Sequence, residues 1–367
     1  MRTDSHVRFD DLLDIRKGGA GLLMGTGDSA VGKLESPAEW RQKADALRGL
    51  FLQTLGEAPD LSCPLAPETV AEADRGDYLE RRLRYNVAPD ERISAYALIP
   101  KGLAGKAPAV LCLHPTTPLG KEQAIGNDAT EAGQDRAYAL HLVKRGYVTF
   151  AYDLLGAGER RYEGLDAFDT APFYVKHPKW SARGKDLWDV GRALDFLQTM
   201  DEVDPSRLGS IGHSQGGGVT LQAMAVDERL KVGVSSCGEW PLRLSKNPFN
   251  QARAGWWVGR PILRPYCLTG KPFPVDMHEI LALAAPRAVM NISALNDCGH
   301  SLGEADFARA AFEDMAANVS KVFSLLGAAG NFSNVLHLGG HSFLAAQREL
   351  AYAFLDEKLK PSFGART

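Results

Sequence analysis

The chain is short of cysteine, of net charge and of long apolar runs, and each shortage removes a class of protein. Its 367 residues include five cysteines, Cys63, Cys112, Cys237, Cys267 and Cys298, scattered, odd in number and without a C-x-x-C pair. That pattern argues against a disulfide framework and for a reduced protein with free thiols. Cys112 and Cys237 lie in apolar, strand-like runs, where a small buried thiol is expected. A net charge of −3 leaves no electrostatic footprint for nucleic acid. No apolar run is long enough to span a bilayer. The polar start, Met1 to Asp14, carries no apolar secretory core, so the expectation is a cytoplasmic protein with no membrane or nucleic-acid partner. What is present is 45% hydrophobic residues, the composition of a globular chain.

Two regions differ in character. Residues 1–75 read as an N-terminal helical extension with one good helix. Trp40, Ala44, Leu47 and Leu50-Phe51 recur at helical steps, Ser36-Pro37 supplies the start and Gly56 the stop. A Pro-rich linker, 58–67, follows. Residues 76–362 alternate strands and helices after a hairpin over Tyr78 to Val87 and Ile93 to Ile99. The fold class is therefore α/β: a mostly parallel sheet covered by helices on both faces. Two aromatic-rich insertions, near 160–181 and 239–274, interrupt the alternation. Long irregular insertions in a compact domain are usually functional loops or lids.

Gly212-His213-Ser214-Gln215-Gly216 carries the chemistry. It reads G-x-S-x-G, a motif common enough by chance that its context must decide. A short apolar segment, Arg207 to Ile211, precedes it, and a helix-length apolar run from Gly217 to Val226 follows. Strand, tight serine turn and helix are the parts of a nucleophile elbow.

A serine needs a base, and the base needs an acid to orient it. In an elbow protein the chain order is serine, acid, histidine. His300, His337 and His341 follow Ser214 near expected strand ends. His337 ends an apolar run and reads as a strand residue, whereas His341 sits in a Gly-rich turn before the last helix and is the expected base. Asp297 follows the strand Val289 to Ser293, at a carboxyl end where open α/β sheets collect ligands. Glu239 also follows a strand and stays open as the alternative acid. An oxyanion hole would take one N–H from Gln215 and one from the loop His114-Pro115-Thr116, where proline leaves Thr116 as donor.

These stretches resemble the α/β-hydrolase superfamily, and within it the dienelactone-hydrolase and acetyl xylan esterase-like group. The resemblance rests on the elbow, on Leu111-Cys112-Leu113-His114-Pro115, on Asp153-Leu154-Leu155-Gly156-Ala157-Gly158 and on Gly340-His341-Ser342-Phe343. Pro115 departs from the family's usual glycine. Some related esterases take their acid from the Glu239 position. The resemblance implies a carboxylic ester hydrolase of small esters, acylated carbohydrates among them, with no cofactor. Trp256 and Trp257 in the second insertion are candidates to line a sugar-stacking pocket, or simply to pack the insertion.

Rival signals are weaker. Gly27 to Leu34 imitates a P-loop but has Leu34 where a metal-binding Ser or Thr is needed, and no strand precedes it. The same lack of a βαβ frame defeats the dinucleotide-like Gly25-Thr26-Gly27. His337 and His341 have zinc-like spacing, but the glycines between them argue against a helix and hence against a metal site. A serine peptidase on the same fold, and a hydrolase-fold protein without catalysis, remain as alternatives.

Overall fold

The strand and helix signals assemble into one nine-stranded sheet in the computed structural model, which describes residues 36–247, 257–269, 273–300 and 302–360. The strands are β1 Glu68–Asp74, β2 Tyr78–Ala88, β3 Glu91–Pro100, β4 Ala107–Leu113, β5 Val148–Tyr152, β6 Val203–His213, β7 Leu230–Ser236, β8 Ala288–Ala294 and β9 Phe332–His337. Their order in space is β1-β2-β3-β5-β4-β6-β7-β8-β9. The first three pair antiparallel, β3 pairs antiparallel with β5, and every later neighbour is parallel. The expected α/β fold is present.

Strand β4 shows why the sheet is covered twice. All seven of its residues are buried. Ala109, Leu111 and Leu113 enter one core cluster, while Val110 and Cys112 enter the other. Successive side chains point to opposite faces, so an uninterrupted apolar run requires cover on both. Helices α1 Pro37–Leu55, α3 Ala182–Leu197, α4 Gln215–Val226, α5 Met277–Ala282 and α6 Ala305–Leu325 contribute to the first cluster. Helices α2 Tyr138–Val143 and α7 Ala345–Leu359 contribute to the second. The start of α1 is as its sequence implies: Ser36 accepts from Glu39 N–H at 3.2 Å and Pro37 opens the helix.

One element was not foreseen. No strand was expected before Tyr78, yet Glu68–Asp74 pairs antiparallel with β2. Six of its seven residues are exposed, and Glu68, Glu72 and Asp74 charge it. A solvated edge strand lacks the apolar alternation that marks a strand in sequence, and its charges suit an edge.

The insertions fold inward. Phe168, Phe173 and Trp180 of the first are buried, and the last two cluster with Leu61, Leu155 and Ala182. Trp240, Leu242, Leu244, Leu263 and Phe273 of the second join the main core. The two insertions are joined by Tyr174 Oη donating to Val258 O (2.8 Å) and Val258 N–H donating to Thr170 Oγ1 (2.9 Å). Trp256 and the P-loop-like Gly27 to Leu34 lie outside the described residues.

Helix α5 packs against α4 and opens with a capping box, Asp276 N–H donating to Glu279 Oε2 at 2.8 Å. Burial pushes the Glu279 carboxyl up to about 7, outweighing the Arg243 guanidinium. Its folded value is above the unfolded one. The stability it contributes is therefore complete below about pH 4.5 and lost as pH rises through about 7. Gln can fill the same cap without a charge. Glu279→Gln should gain roughly 2–4 kcal/mol relative to wild type between pH 5 and pH 8. Urea unfolding at the two pH values measures this; equal differences would refute it.

Candidate active site

Ser214 occupies the one residue between the end of β6 and the start of α4. Its backbone is left-handed in φ, at 54°, with ψ −120°. L-residues rarely adopt this region, and the surroundings show what imposes it. A Cβ on Gly212 would stand 2.2 Å from the Gly216 carbonyl carbon, and one on Gly216 would stand 2.0 Å from Leu113 O. Only glycines allow strand, turn and helix to approach this closely. Ser214 N–H donates to Ser236 O at 2.7 Å, tying the turn to the tip of β7.

The expected partners converge on this turn. His341 Nε2 lies 2.8 Å from Ser214 Oγ, and His341 Nδ1 lies 2.6 Å from Asp297 Oδ2. Asp297 comes from the loop after β8 and His341 from the loop after β9. Gly340 N–H donates to Asn296 Oδ1 at 2.9 Å, holding these loops together. The second Asp297 oxygen accepts from Gly299 N–H at 2.6 Å. Burial works to raise the Asp297 carboxyl, but the His341 hydrogen bond and charge and the Gly299 N–H outweigh it and hold the group below its ordinary value. An ionised Asp297 accepts from Nδ1–H and leaves Nε2 as the acceptor facing the serine.

Glu239 borders the same small cavity as Asp297 but makes different contacts. It is buried, and its Oε1 accepts from Gln222 Nε2 at 2.6 Å. The buried Arg260 guanidinium interacts with it: burial lowers Arg260 to about 10 while the Glu239 charge opposes the shift. Of the two acids considered, Asp297 is the one paired with His341. His300 is engaged through both ring nitrogens, with Ala294 O at 3.1 Å and Leu302 N–H at 3.0 Å. His337 ends β9 and accepts from Gly339 N–H at 3.0 Å.

Gln215 opens α4, where the first-turn N–H groups have no partner within the helix. Thr116 is exposed in the bend after β4. Trp257 packs its ring on Phe168, with centroids 5.1 Å apart, where the two insertions meet.

Several residues escaped the sequence reading. His114 Nε2 accepts from Leu154 N–H at 2.8 Å, and its Nδ1 lies 2.7 Å from Pro115 O. The ring therefore links the loop after β4 to the loop after β5. Asp153 is buried against Lys121, Nζ to Oδ2 2.6 Å, and accepts from the N–H groups of Lys121 and Glu159 at 2.7 and 3.0 Å. The close glycines Gly156 and Gly158 were the available signal, since a Cβ on Gly158 would stand 2.3 Å from Asp153 Oδ1. His213 lies beside the base, its ring centroid 4.8 Å from that of His341 and stacked parallel on Phe343. Burial holds the His213 imidazole well below its usual value, so it stays neutral there.

Comparison with known proteins fits this geometry. A fungal glucuronyl esterase family model matches residues 146–315, and an abhydrolase family model matches residues 34–178. The chain is 27% identical over 320 residues to YtaP of Bacillus subtilis, a protein named as a hydrolase without a stated substrate, covering 86% of this chain and all of YtaP. A glucuronoyl esterase from Solibacter usitatus superposes with a TM-score of 0.72 at 18% identity, covering 92% of this chain and 97% of that one. A Bacteroides fragilis protein assigned as an acetyl xylan esterase superposes with a TM-score of 0.64 at 18% identity, covering 91% and 86%. The chain has the α/β-hydrolase fold. Within it, the chain is similar to carbohydrate esterases. No helix among the described residues is long and apolar enough to cross a membrane.

The elbow can be tested directly. Gly216→Ala should lower unfolding stability by roughly 1–3 kcal/mol through the clash with Leu113 O. Gly191→Ala, mid-helix with its nearest atom 3.7 Å away, should be neutral or gain up to about 1 kcal/mol. Denaturant melts of both variants check the contrast.

Proposed function

We propose that this protein is a carboxylic ester hydrolase that works through an acyl-enzyme on Ser214. The supporting observation is the Ser214–His341–Asp297 relay, with contacts of 2.8 and 2.6 Å, mounted on a left-handed serine turn. His341 Nε2 takes the Ser214 proton as Oγ attacks the ester carbonyl. Asp297 holds the Nδ1–H tautomer and stabilises the imidazolium that forms. The Gln215 and Thr116 N–H groups receive the oxyanion, and the positive end of α4 favours charge there. His341 then returns the proton to the leaving alcohol. Water, deprotonated by the same imidazole, clears the acyl group.

The substrate class proposed is a carbohydrate ester, with an ester of a sugar acid first. It is supported by the match of a glucuronyl esterase family model to residues 146–315 and by the shared fold of a glucuronoyl esterase. An acetylated carbohydrate is the second reading, supported by the likeness to the acetyl xylan esterase-assigned protein. Cleavage of methyl glucuronate against an acetylated xylo-oligosaccharide ranks the two.

Ser214→Ala should lower kcat by about 10⁴–10⁶ on whichever ester is cleaved, because members of such a relay act as a unit. A loss below tenfold would rule out the acyl-enzyme. Asp297→Asn should cost about 10⁴ in kcat through the wrong tautomer. Glu239→Gln should retain far more activity. The reverse ranking would reassign the acid.

A further inference from the structure

Cys237 adjoins the relay, and the proposed ester chemistry does not use it. It follows β7 with its backbone in the left-handed region, φ 50°, and its thiol is buried. One potential ligand atom each from Cys237, Asp297 and His341 lie within 4.8 Å of one another. A cavity of about 10 Å³ borders Cys237 and Asp297, though not His341, and is further lined by Glu239, Trp240, Ser293, Ala294, His300 and Phe312. That is the scale of one water molecule or one ion.

We propose that Cys237, Asp297 and His341 form an inhibitory binding site for a soft divalent cation such as Zn²⁺ or Cd²⁺. A thiolate, an imidazole and a carboxylate are the donor types such ions take. Tetrahedral ligation with bonds of about 2.0–2.3 Å places donor atoms roughly 3.3–3.7 Å apart. The three donors already lie within 4.8 Å, and the His341–Asp297 contact of 2.6 Å would open by roughly 0.7–1 Å to admit the ion. His300 adds no ligand, because both of its ring nitrogens are engaged. A water completes the tetrahedron as the fourth ligand.

The proton balance is simple, and nothing is oxidised or reduced. The Cys237 thiol loses its proton to solvent as the metal–sulfur bond forms. His341 Nδ1 gives up its proton to bind the ion, and solvent returns one to Nε2, leaving the imidazole neutral. One proton is released per ion bound. Nε2 then carries hydrogen and cannot accept from Ser214, so binding abolishes base catalysis. Ion binding rests on the geometry alone. Only its inhibitory effect rests on the acyl-transfer reading.

Cadmium is the probe. Metal-free protein is titrated with Cd²⁺ while the ultraviolet charge-transfer band of a cadmium thiolate and ester hydrolysis are followed. Wild type, Cys298→Ala and Ser214→Ala should show the band saturating at one ion. Cys237→Ser and Cys237→Ala should lack it and should need about tenfold or more Cd²⁺ for the same inhibition. Cys298 is exposed next to Asp297, so its variant controls for a nearby surface thiol. Cys237 variants that bind and are inhibited as wild type would overturn the site. Saturable binding through Cys237, with no ester cleaved by any variant, would uphold the site and overturn the acyl-transfer reading instead.

Discussion

The backbone of Ser214 is the constraint on which the rest of the site depends. A non-glycine residue at φ 54° and ψ −120° carries strain of about 1–3 kcal/mol, and it persists only where the surroundings over-determine it. Here they do. The turn is pinned from below by Gly212 against Gly216, from the side by Leu113 O against Gly216, and from above by the hydrogen bond to Ser236 O. The same contacts set the origin and direction of α4. They therefore place its unpaired N–H groups beside the serine that they are proposed to serve.

The base side is built differently, from two loops. Asp297 and His341 are 44 residues apart in sequence and meet because β8 and β9 are parallel neighbours whose carboxyl ends lie together. The Asn296–Gly340 hydrogen bond holds the loops in register. Each Asp297 oxygen has its own donor, so the carboxylate is charged despite burial. Charge on Asp297 favours the Nδ1–H tautomer of His341, and the tautomer decides whether Nε2 can accept. The neutral, stacked His213 next to the base adds volume without a competing charge.

Much of this was legible in the sequence. The mostly parallel, doubly covered sheet follows from buried apolar runs such as β4, and the elbow from glycine spacing between a strand and a helix. Asp297, His341 and Ser214 could be chosen because loops at the carboxyl ends of parallel strands converge. Sequence position favoured Asp297 but left Glu239 open as the alternative acid. Both follow a strand, and it is their contacts that separate them: Asp297 meets His341, whereas Glu239 accepts from Gln222 and faces Arg260. Strand β1 was hidden because an edge strand's pairing is a backbone property that its charged side chains do not report. The aromatic insertions were ambiguous for a related reason: Phe173 and Trp180 face inward, and Trp257 meets Phe168, through contacts between distant segments.

The buried Lys121–Asp153 pair was also hidden, and it bears on the proposed oxyanion side. A buried ion pair is weak evidence for stability, since desolvation offsets the attraction. Its better-attested use is to specify one arrangement, and the geometry here fits that use. Asp153 binds the N–H groups of Lys121 and Glu159 as well as the Lys121 ammonium, so it fixes the loops after β4 and β5 to each other. His114 makes a second link between the same loops. An oxyanion donor is effective only when it needs no reorganisation as charge develops. Pro115 fixes its own backbone φ, so the bend leading to Thr116 has less backbone freedom of its own. The two cross-links therefore act on a segment already stiff, and they orient it as a unit against the strained serine.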